Sequence, residues 1–189
     1  MSEKSPPIDY NRLFEGIRDF KANEFIPRQQ FFEALGQQQN PHTLFIGCSD
    51  SRVVPHLVAT SAVIEYAVNQ MNVNNIVVCG HSNCGGCAAL YQDKELKDLP
   101  HTKKWLELAS PVKKVVEEQI AGNKISLEER SAFTEKMNVV EQVNHLMKYP
   151  YIRKRVKEGR LNVMGWYYLI DKGEIYNYDK KRKQFIRVE

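Results

Sequence analysis

Short apolar runs alternate with helical stretches along this chain, and that alternation limits the folds it can adopt. "TLFIG" (43–47) and "NNIVVCG" (74–80) are typical of strands that are buried on both faces of a parallel sheet. "LNVMGWYYLI", a turn at "DKG" and "EIYNY" predict a hairpin of two final strands. The pattern predicts an α/β fold, with a mainly parallel central sheet flanked by helices and an antiparallel edge strand.

The helical stretches show apolar residues at three- and four-residue spacing. Two of them, the second beginning at Pro27, predict an N-terminal helical arm over 1–40, ahead of an α/β core over 41–189, in a single domain. Pro111 predicts an interruption in the helix over about 105–120. The spacing predicts these inward-facing residues in the helix after residue 60 and in the helix over about 127–148: Ala62, Val63, Tyr66, Ala67, Met137, Val140, Val143 and Met147.

Composition places the chain among ordinary globular proteins. Its 27 Lys and Arg residues against 23 Asp and Glu are spread out, apart from short runs such as "DKKRKQ", so nucleic-acid binding is not expected. No stretch approaches the roughly 20 apolar residues that span a bilayer, and the N-terminus has no apolar signal core. We therefore expect a cytoplasmic protein without a membrane partner, in which clustered thiols bind metal or do chemistry more often than they form disulfides.

All four cysteines lie in two segments, "CSDSRVVP" (48–55) and "CGHSNCGGC" (79–87). Cys48 and His81 each sit where a predicted strand ends, and ligand sites of such sheets lie outside the carboxyl ends of the strands. With Cys84, three residues after His81, they form a set of two thiolates and one imidazole that suits Zn²⁺. A fourth position remains for water, Asp50 or Cys87.

Other uses of these cysteines stay open at this point. "CGGC" is also the spacing of a thiol redox pair, and Cys87 could complete a closed structural zinc site. Cys79, inside an apolar strand, is expected to be a core residue. Asp50 and Arg52 favour catalysis, since a guanidinium can hold a carboxylate off the metal, although a simple loop salt bridge has the same spacing.

"CSDSRV" followed by "CGHSNCGGC" resembles the β-class carbonic anhydrases, and the resemblance extends over most of the chain. It implies that Cys48, His81 and Cys84 bind one zinc ion and that Asp50 and Arg52 form a catalytic dyad, with Asp50 as a fourth ligand in a closed form. It implies the reaction CO2 + H2O ⇌ HCO3⁻ + H⁺ by zinc-bound hydroxide, and a homodimer or higher homo-oligomer. Gly85 is a candidate for leaving room for the substrate. A COS or CS2 hydrolase, or a non-catalytic zinc or thiol protein, stays as the alternative.

The spacing of the two motifs departs from the family pattern. Roughly two dozen residues, about one strand with its connections, are missing between Val58 and Ser61. Either the chain is truly shortened there, or the sequence omits a segment that the protein has; we favour the second, which predicts a break in the chain at this junction. A true shortening would put the CO2 pocket, the dimer edge and the activity in doubt.

Overall fold

A computed structural model describes residues 10–37, 41–47, 61–92 and 98–188. The chain divides into two compact units, Met1–Asn40 and Pro41–Glu189. They have the same boundary as the predicted arm and core; that the two belong to a single domain stays a prediction. The junction predicted between Val58 and Ser61 lies outside the described ranges, which resume at Ser61.

The described part of the first unit is helical, as predicted for the arm. Helix α1 (Tyr10–Asp19) continues through a π-helical turn (Phe20–Phe25) and a 3₁₀ turn (Ile26–Arg28) into α2 (Gln29–Gln37). Pro27 lies in the 3₁₀ turn, two residues before α2 begins. Phe32 packs edge-on against Phe20 and stacks on Phe25 at a centroid distance of 5.1 Å.

The second unit is built on a sheet in the order β1-β2-β3-β4-β5. Its strands are β1 (Thr43–Ile46), β2 (Asn75–His81), β3 (Asn162–Leu169), β4 (Glu174–Asp179) and β5 (Gln184–Arg187). The first three run parallel, and β4 and β5 are each antiparallel to the strand before. This confirms the predicted α/β fold with a parallel centre, flanking helices and an antiparallel edge.

Strand β5 was not predicted, because "DKKRKQ" reads as solvated charge. In the structure most of that run is a turn: the Asp179 carboxylate accepts the backbone N–H groups of Lys181 (2.8 Å) and Arg182 (3.0 Å). Lys183 completes the turn with a positive φ of 54°. The charged residues therefore form the turn that precedes β5, a strand of four residues that begins at Gln184.

The second unit contains the helices predicted after residue 60, over about 105–120 and over about 127–148. The bounds of its helices are α3 (Ser61–Glu65), continued by a π-helical turn (Tyr66–Gln70), α4 (Gly85–Ala89), α5 (Pro100–Leu106), continued by a 3₁₀ turn (Glu107–Ala109), α6 (Ser110–Ala121), α7 (Arg130–Leu146) and α8 (Pro150–Lys157). Pro111 lies in the first turn of α6, so the predicted interruption is a helix boundary. Across the described ranges, the molecule has no helix with the length and apolar character needed to cross a membrane.

The predicted inner face of α3 and its π-helical turn is largely wrong. Ala67 is buried as predicted, but Ile64 and Val68 fill the core beside it, while Tyr66 is 59% exposed and Val63 38% exposed. Ala62 is exposed as well. The segment "SAVIEYAV" is apolar almost all round, so its periodicity does not define one face, and the π-helical turn shifts the spacing further.

The inner face of α7 is also rotated from the prediction. Val143 is buried as predicted, but Met137, Val140 and Met147 are only half-buried. The fully buried side chains are Thr134, Glu135, Val139, Val143 and Leu146. The rotation has a steric cause in the sheet, where Gly80 of β2 and Gly165 of β3 make room for Val139: a methyl group at Gly80 would lie 2.5 Å from Val139 Cγ2, and one at Gly165 would lie 2.9 Å from Cγ1.

Candidate metal centre

The described residues include two of the three predicted zinc ligands, His81 and Cys84. Cys48, Asp50 and Arg52 fall in 48–60, outside the described ranges. Within those ranges, no group of three or more His, Cys, Asp or Glu side chains is arranged to hold a metal ion. The site is therefore built here from the turn that carries His81 and Cys84 and from its neighbours.

His81 is the last residue of β2 and is 1% exposed. Its Nδ1 lies 2.9 Å from the carbonyl oxygen of Ser82. Because a carbonyl can only accept, Nδ1 carries the proton in that hydrogen bond, and the neutral ring then has its lone pair on Nε2. This is the arrangement in which a histidine binds a metal through one nitrogen and is oriented through the other.

Ser82 fastens the end of β2 to β3. Its backbone N–H donates to the carbonyl oxygen of Tyr168 at 2.9 Å, and its Oγ accepts the backbone N–H of Ile170 at 3.0 Å. Tyr168 is also the register partner of His81 in the parallel pairing. These bonds fix the main chain on both sides of the imidazole.

Asn83 turns the chain from β2 toward α4. Its φ is +56°, a left-handed conformation that asparagine tolerates better than most residues. Cys84 follows with φ −74° and ψ 113°, an extended residue directly before the first turn of α4. The turn therefore places a thiol at the N-terminus of α4, close to the strand end that carries His81.

The Cys84 thiol is strongly acidified. Its pKa is lowered to about 5, chiefly by a hydrogen bond with the Cys87 side chain and, more weakly, by the backbone N–H groups of Cys87 and Gly86; burial acts in the opposite direction. The thiolate is the form that binds metal. A thiolate and an oriented imidazole are the donors that Zn²⁺ prefers, so these two residues fit the implied ion.

The remaining described residues of the two motifs differ in character. Cys79 is buried in β2, and burial raises its pKa to about 11, which confirms it as a core residue. Cys87 is buried on α4, and neither it nor Cys84 is in a disulfide. Gly85 is exposed, and a methyl group added to it would have no neighbour within 4 Å.

The structure adds a residue that the sequence reasoning missed. Glu135 of α7 is 3% exposed, and its Oε1 accepts the backbone N–H of Cys84 at 2.9 Å. Its Oε2 accepts the hydroxyl of Tyr167 at 2.7 Å. The pKa of Tyr167 is raised, first by burial and then by this bond. Glu135 stands four residues before Val139 and eight before Val143, on one helical row, but only the packing of Val139 on the sheet identifies that row as the buried one.

Comparison with known proteins identifies relatives of this chain. A profile of the family "Carbonic anhydrase" matches residues 54–175, beginning two residues after Arg52. The carbonic anhydrase of Helicobacter pylori (strain J99) is 32% identical over 209 residues, covering 93% of each chain. Carbonic anhydrase 1 of Escherichia coli O157:H7 is 33% identical over 200 residues, covering 92% of this chain and 90% of its own.

These alignments are longer than the chain. The E. coli alignment spans 200 positions but uses 92% of a 189-residue chain, so at about two dozen of them this chain has no residue. The number agrees with the size of the segment that the motif spacing predicts to be missing. Its location between Val58 and Ser61 stays a prediction.

Solved structures agree in fold. The β-carbonic anhydrase CcaA superposes with a TM-score of 0.84 at 30% identity, covering 94% of this chain and 98% of its own. A tetrameric β-carbonic anhydrase of Sordaria macrospora gives 0.67 at 31% identity, covering 88% and 92%. With the turn that presents His81 and Cys84 at the end of a parallel strand, these matches show that the chain belongs to the β-class carbonic anhydrase family.

Proposed function

We propose that this carbonic anhydrase holds one zinc ion per chain through Cys48, His81 and Cys84 and uses it to convert CO2 and water reversibly into bicarbonate and a proton. The observation that carries the proposal is the pairing of a buried, oriented imidazole with an acidified thiol on one turn. Strand β1 runs parallel to β2, so the two strands end toward the same edge of the sheet, and Cys48 follows the end of β1 by two residues in the sequence.

Zinc, when bound, supplies a Lewis acid that brings the pKa of a water ligand to about 7. The protein's part is to hold the donors in place. Ser82 orients His81 through its carbonyl group, and Cys87 keeps Cys84 in its thiolate form. Gly85, which opens α4 without a side chain, would leave space for a small linear substrate beside Cys84.

Asp50 and Arg52 are proposed as the dyad that handles the reacting water. The Asp50 carboxylate would accept a hydrogen bond from that water, which orients its attack, and would take up its proton. The Arg52 guanidinium would hold the carboxylate in a two-pronged pair. When that pair opens, Asp50 would become the fourth protein ligand and close the site.

Removal of the metal tests the proposal directly. Protein as purified should contain about one zinc per chain and catalyse CO2 hydration in a stopped-flow assay with a pH indicator. Treatment with a chelator should lower the rate to that of the uncatalysed reaction, and added zinc should restore it. COS and CS2 hydrolysis, measured on the same samples, should be the slower activities.

Three results would contradict this assignment. An unchanged hydration rate without zinc would remove the metal mechanism. Stoichiometric zinc without CO2 hydration would indicate a structural site, and COS or CS2 hydrolysis faster than CO2 hydration would change the substrate.

We also propose that the chain forms a homo-oligomer through its N-terminal helices. Large apolar side chains of the first unit are exposed there: Phe14, Ile17, Phe20, Ile26 and Phe31, each between 48% and 62%. Several large apolar side chains exposed on one short segment are typical of a surface that contacts another chain. The S. macrospora relative is described as tetrameric, which supports a second copy as the partner.

Replacing Phe14 and Ile17 together by serine should weaken that assembly, because each buried side chain of this size stabilises it by about 1.5–3 kcal/mol. Analytical ultracentrifugation should show a smaller species appearing at micromolar concentration, where the wild type stays assembled. Serine at Glu15 and Arg18, on the same helix, is the matched control and should leave the mass unchanged. A wild-type mass for the Phe14 and Ile17 variant at every concentration would rule out the arm as the interface.

A further inference from the structure

We propose that Glu135 is a positioning residue for the metal centre: its buried carboxylate holds the main chain of Cys84 in the conformation that presents the thiolate to the metal, with Tyr167 fixing the carboxylate from behind. The proposal rests on the proposed zinc site and adds to it a residue 51 positions further along the chain. Glu135 would act through Cys84 and would touch neither metal nor substrate.

Both carboxylate oxygens of Glu135 accept hydrogen bonds. Three donors converge on its two oxygens: the Cys84 N–H at 2.9 Å and the Ser131 hydroxyl at 3.3 Å on Oε1, and the Tyr167 hydroxyl at 2.7 Å on Oε2. A buried carboxylate is tolerated when hydrogen bonds of this kind replace its hydration. The carboxylate is thus bound on both sides and cannot rotate away from Cys84 without breaking a short bond to Tyr167.

Glu135 is buried because helix α7 packs closely on the sheet. Val139, one turn further along, fits over Gly80 and Gly165, where there is no space for even a methyl group. Gly80 is the residue directly before His81, and its register partner in β3 is Tyr167. The same close approach therefore places the carboxylate between the end of β2, the start of α4 and the Tyr167 hydroxyl.

The bond to Cys84 reaches the backbone, so Glu135 fixes the ligand without competing for the metal. Cys84 is the hinge between the left-handed Asn83 and helix α4, and its N–H precedes the first turn of that helix. Ser82 holds the other end of the turn against β3. With both ends held, the separation of the imidazole from the thiolate is set before any metal arrives, which favours slow release of the ion.

The test measures metal retention as well as activity. Glu135→Leu keeps a similar volume but removes both acceptor oxygens; Glu135→Gln can still accept the Cys84 N–H through its amide oxygen. We expect Glu135→Leu to release zinc to a chromogenic chelator about 10- to 100-fold faster than wild type, the usual effect of losing a partner behind a metal ligand. Glu135→Gln should restore most of the slow release. Glu141→Leu, on the same helix, is the matched control and should release zinc at the wild-type rate.

Cobalt-substituted protein gives an independent signature. The thiolate-to-cobalt absorption bands should shift in Glu135→Leu and return in Glu135→Gln, whereas a purely structural role would lower the unfolding temperature and leave bands and release rate unchanged. If Glu135→Leu does not fold, Tyr167→Phe decides the question. It leaves Oε2 without its hydroxyl donor and should speed zinc release by about 2- to 10-fold.

The outcomes separate this proposal from the zinc site itself. A wild-type chain that takes up no zinc or cobalt overturns both. If the wild type binds zinc and Glu135→Leu releases it at the wild-type rate, with wild-type cobalt spectra, only the positioning role is overturned. If only Tyr167→Phe folds, a wild-type rate of zinc release in that variant likewise overturns the positioning role.

Discussion

Replacing Cys84 with serine should empty the zinc site and abolish CO2 hydration, whereas the same replacement at Cys87 should preserve both. The Cys84 thiol is the acidified member of the pair, with a pKa lowered to about 5, and Cys87 is its main hydrogen-bond partner. A serine hydroxyl at position 84 would not ionise near neutral pH and is a poor zinc ligand. A serine at position 87 could still donate a hydrogen bond to the Cys84 thiolate.

The expected loss at position 84 exceeds the 10- to 100-fold in metal affinity that a missing outer partner typically costs. Zinc content by elemental analysis and hydration by stopped flow, on both variants and on wild type, measure it. Cys79→Ala controls for removal of a buried thiol from the core. If Cys87→Ser loses its zinc and Cys84→Ser keeps it, Cys87 replaces Cys84 in the ligand set. Loss of zinc from both variants would indicate the closed site with Cys87 as a ligand.

The central strands could be predicted because each is an uninterrupted apolar run, which is a property of the local sequence. "NIVVC" has no polar residue after Asn75, and only a strand with both faces covered accommodates that composition. The edge strand β5 was harder to predict from the sequence. Strand β5 is short and follows a charged turn whose hydrogen bonds to Asp179 are specific to the folded chain.

Which face of a helix turns inward depended on contacts distant in sequence. α7 carries enough apolar residues to present more than one face. Its actual orientation is set by Val139 against Gly80 and Gly165, residues 59 positions before it and 26 after it. Periodicity within the helix does not contain that information, so Met137 and Val140 were predicted to be inside and Glu135 was overlooked.

The candidate site shows the same division between local and distant information. His81 and Cys84 are three residues apart at a strand end, and that spacing alone predicted two donors on one turn. The hydrogen bond from the Cys84 N–H to Glu135 joins the turn between β2 and α4 to helix α7, 51 residues further along the chain. It became visible only when the close packing of α7 on the sheet was known, since an isolated glutamate in an amphipathic helix is ordinarily on the surface.

Asp50→Ala should keep its zinc and lose CO2 hydration by about 10²- to 10⁴-fold at neutral pH, the range typical of a positioned proton acceptor. Asp50→Asn should lose nearly as much, because an amide keeps the shape of the carboxylate but cannot accept the proton. Stopped-flow rates, normalised to the zinc content of each preparation, measure the effect.

Arg52→Lys separates the dyad from an ordinary loop salt bridge. Lysine keeps the positive charge but not the two-pronged geometry, so a dyad that depends on that geometry should slow markedly, in parallel with the Asp50 variants. A surface salt bridge stabilises a protein by about 0–1 kcal/mol, so in that case both positions would shift the unfolding temperature slightly and leave the rate unchanged. Full hydration by zinc-loaded Asp50→Ala would therefore show that the assigned role is wrong, without affecting the proposal that His81 and Cys84 bind the metal. A slow Asp50→Ala with a fast Arg52→Lys would keep the carboxylate in the mechanism and remove the guanidinium from it.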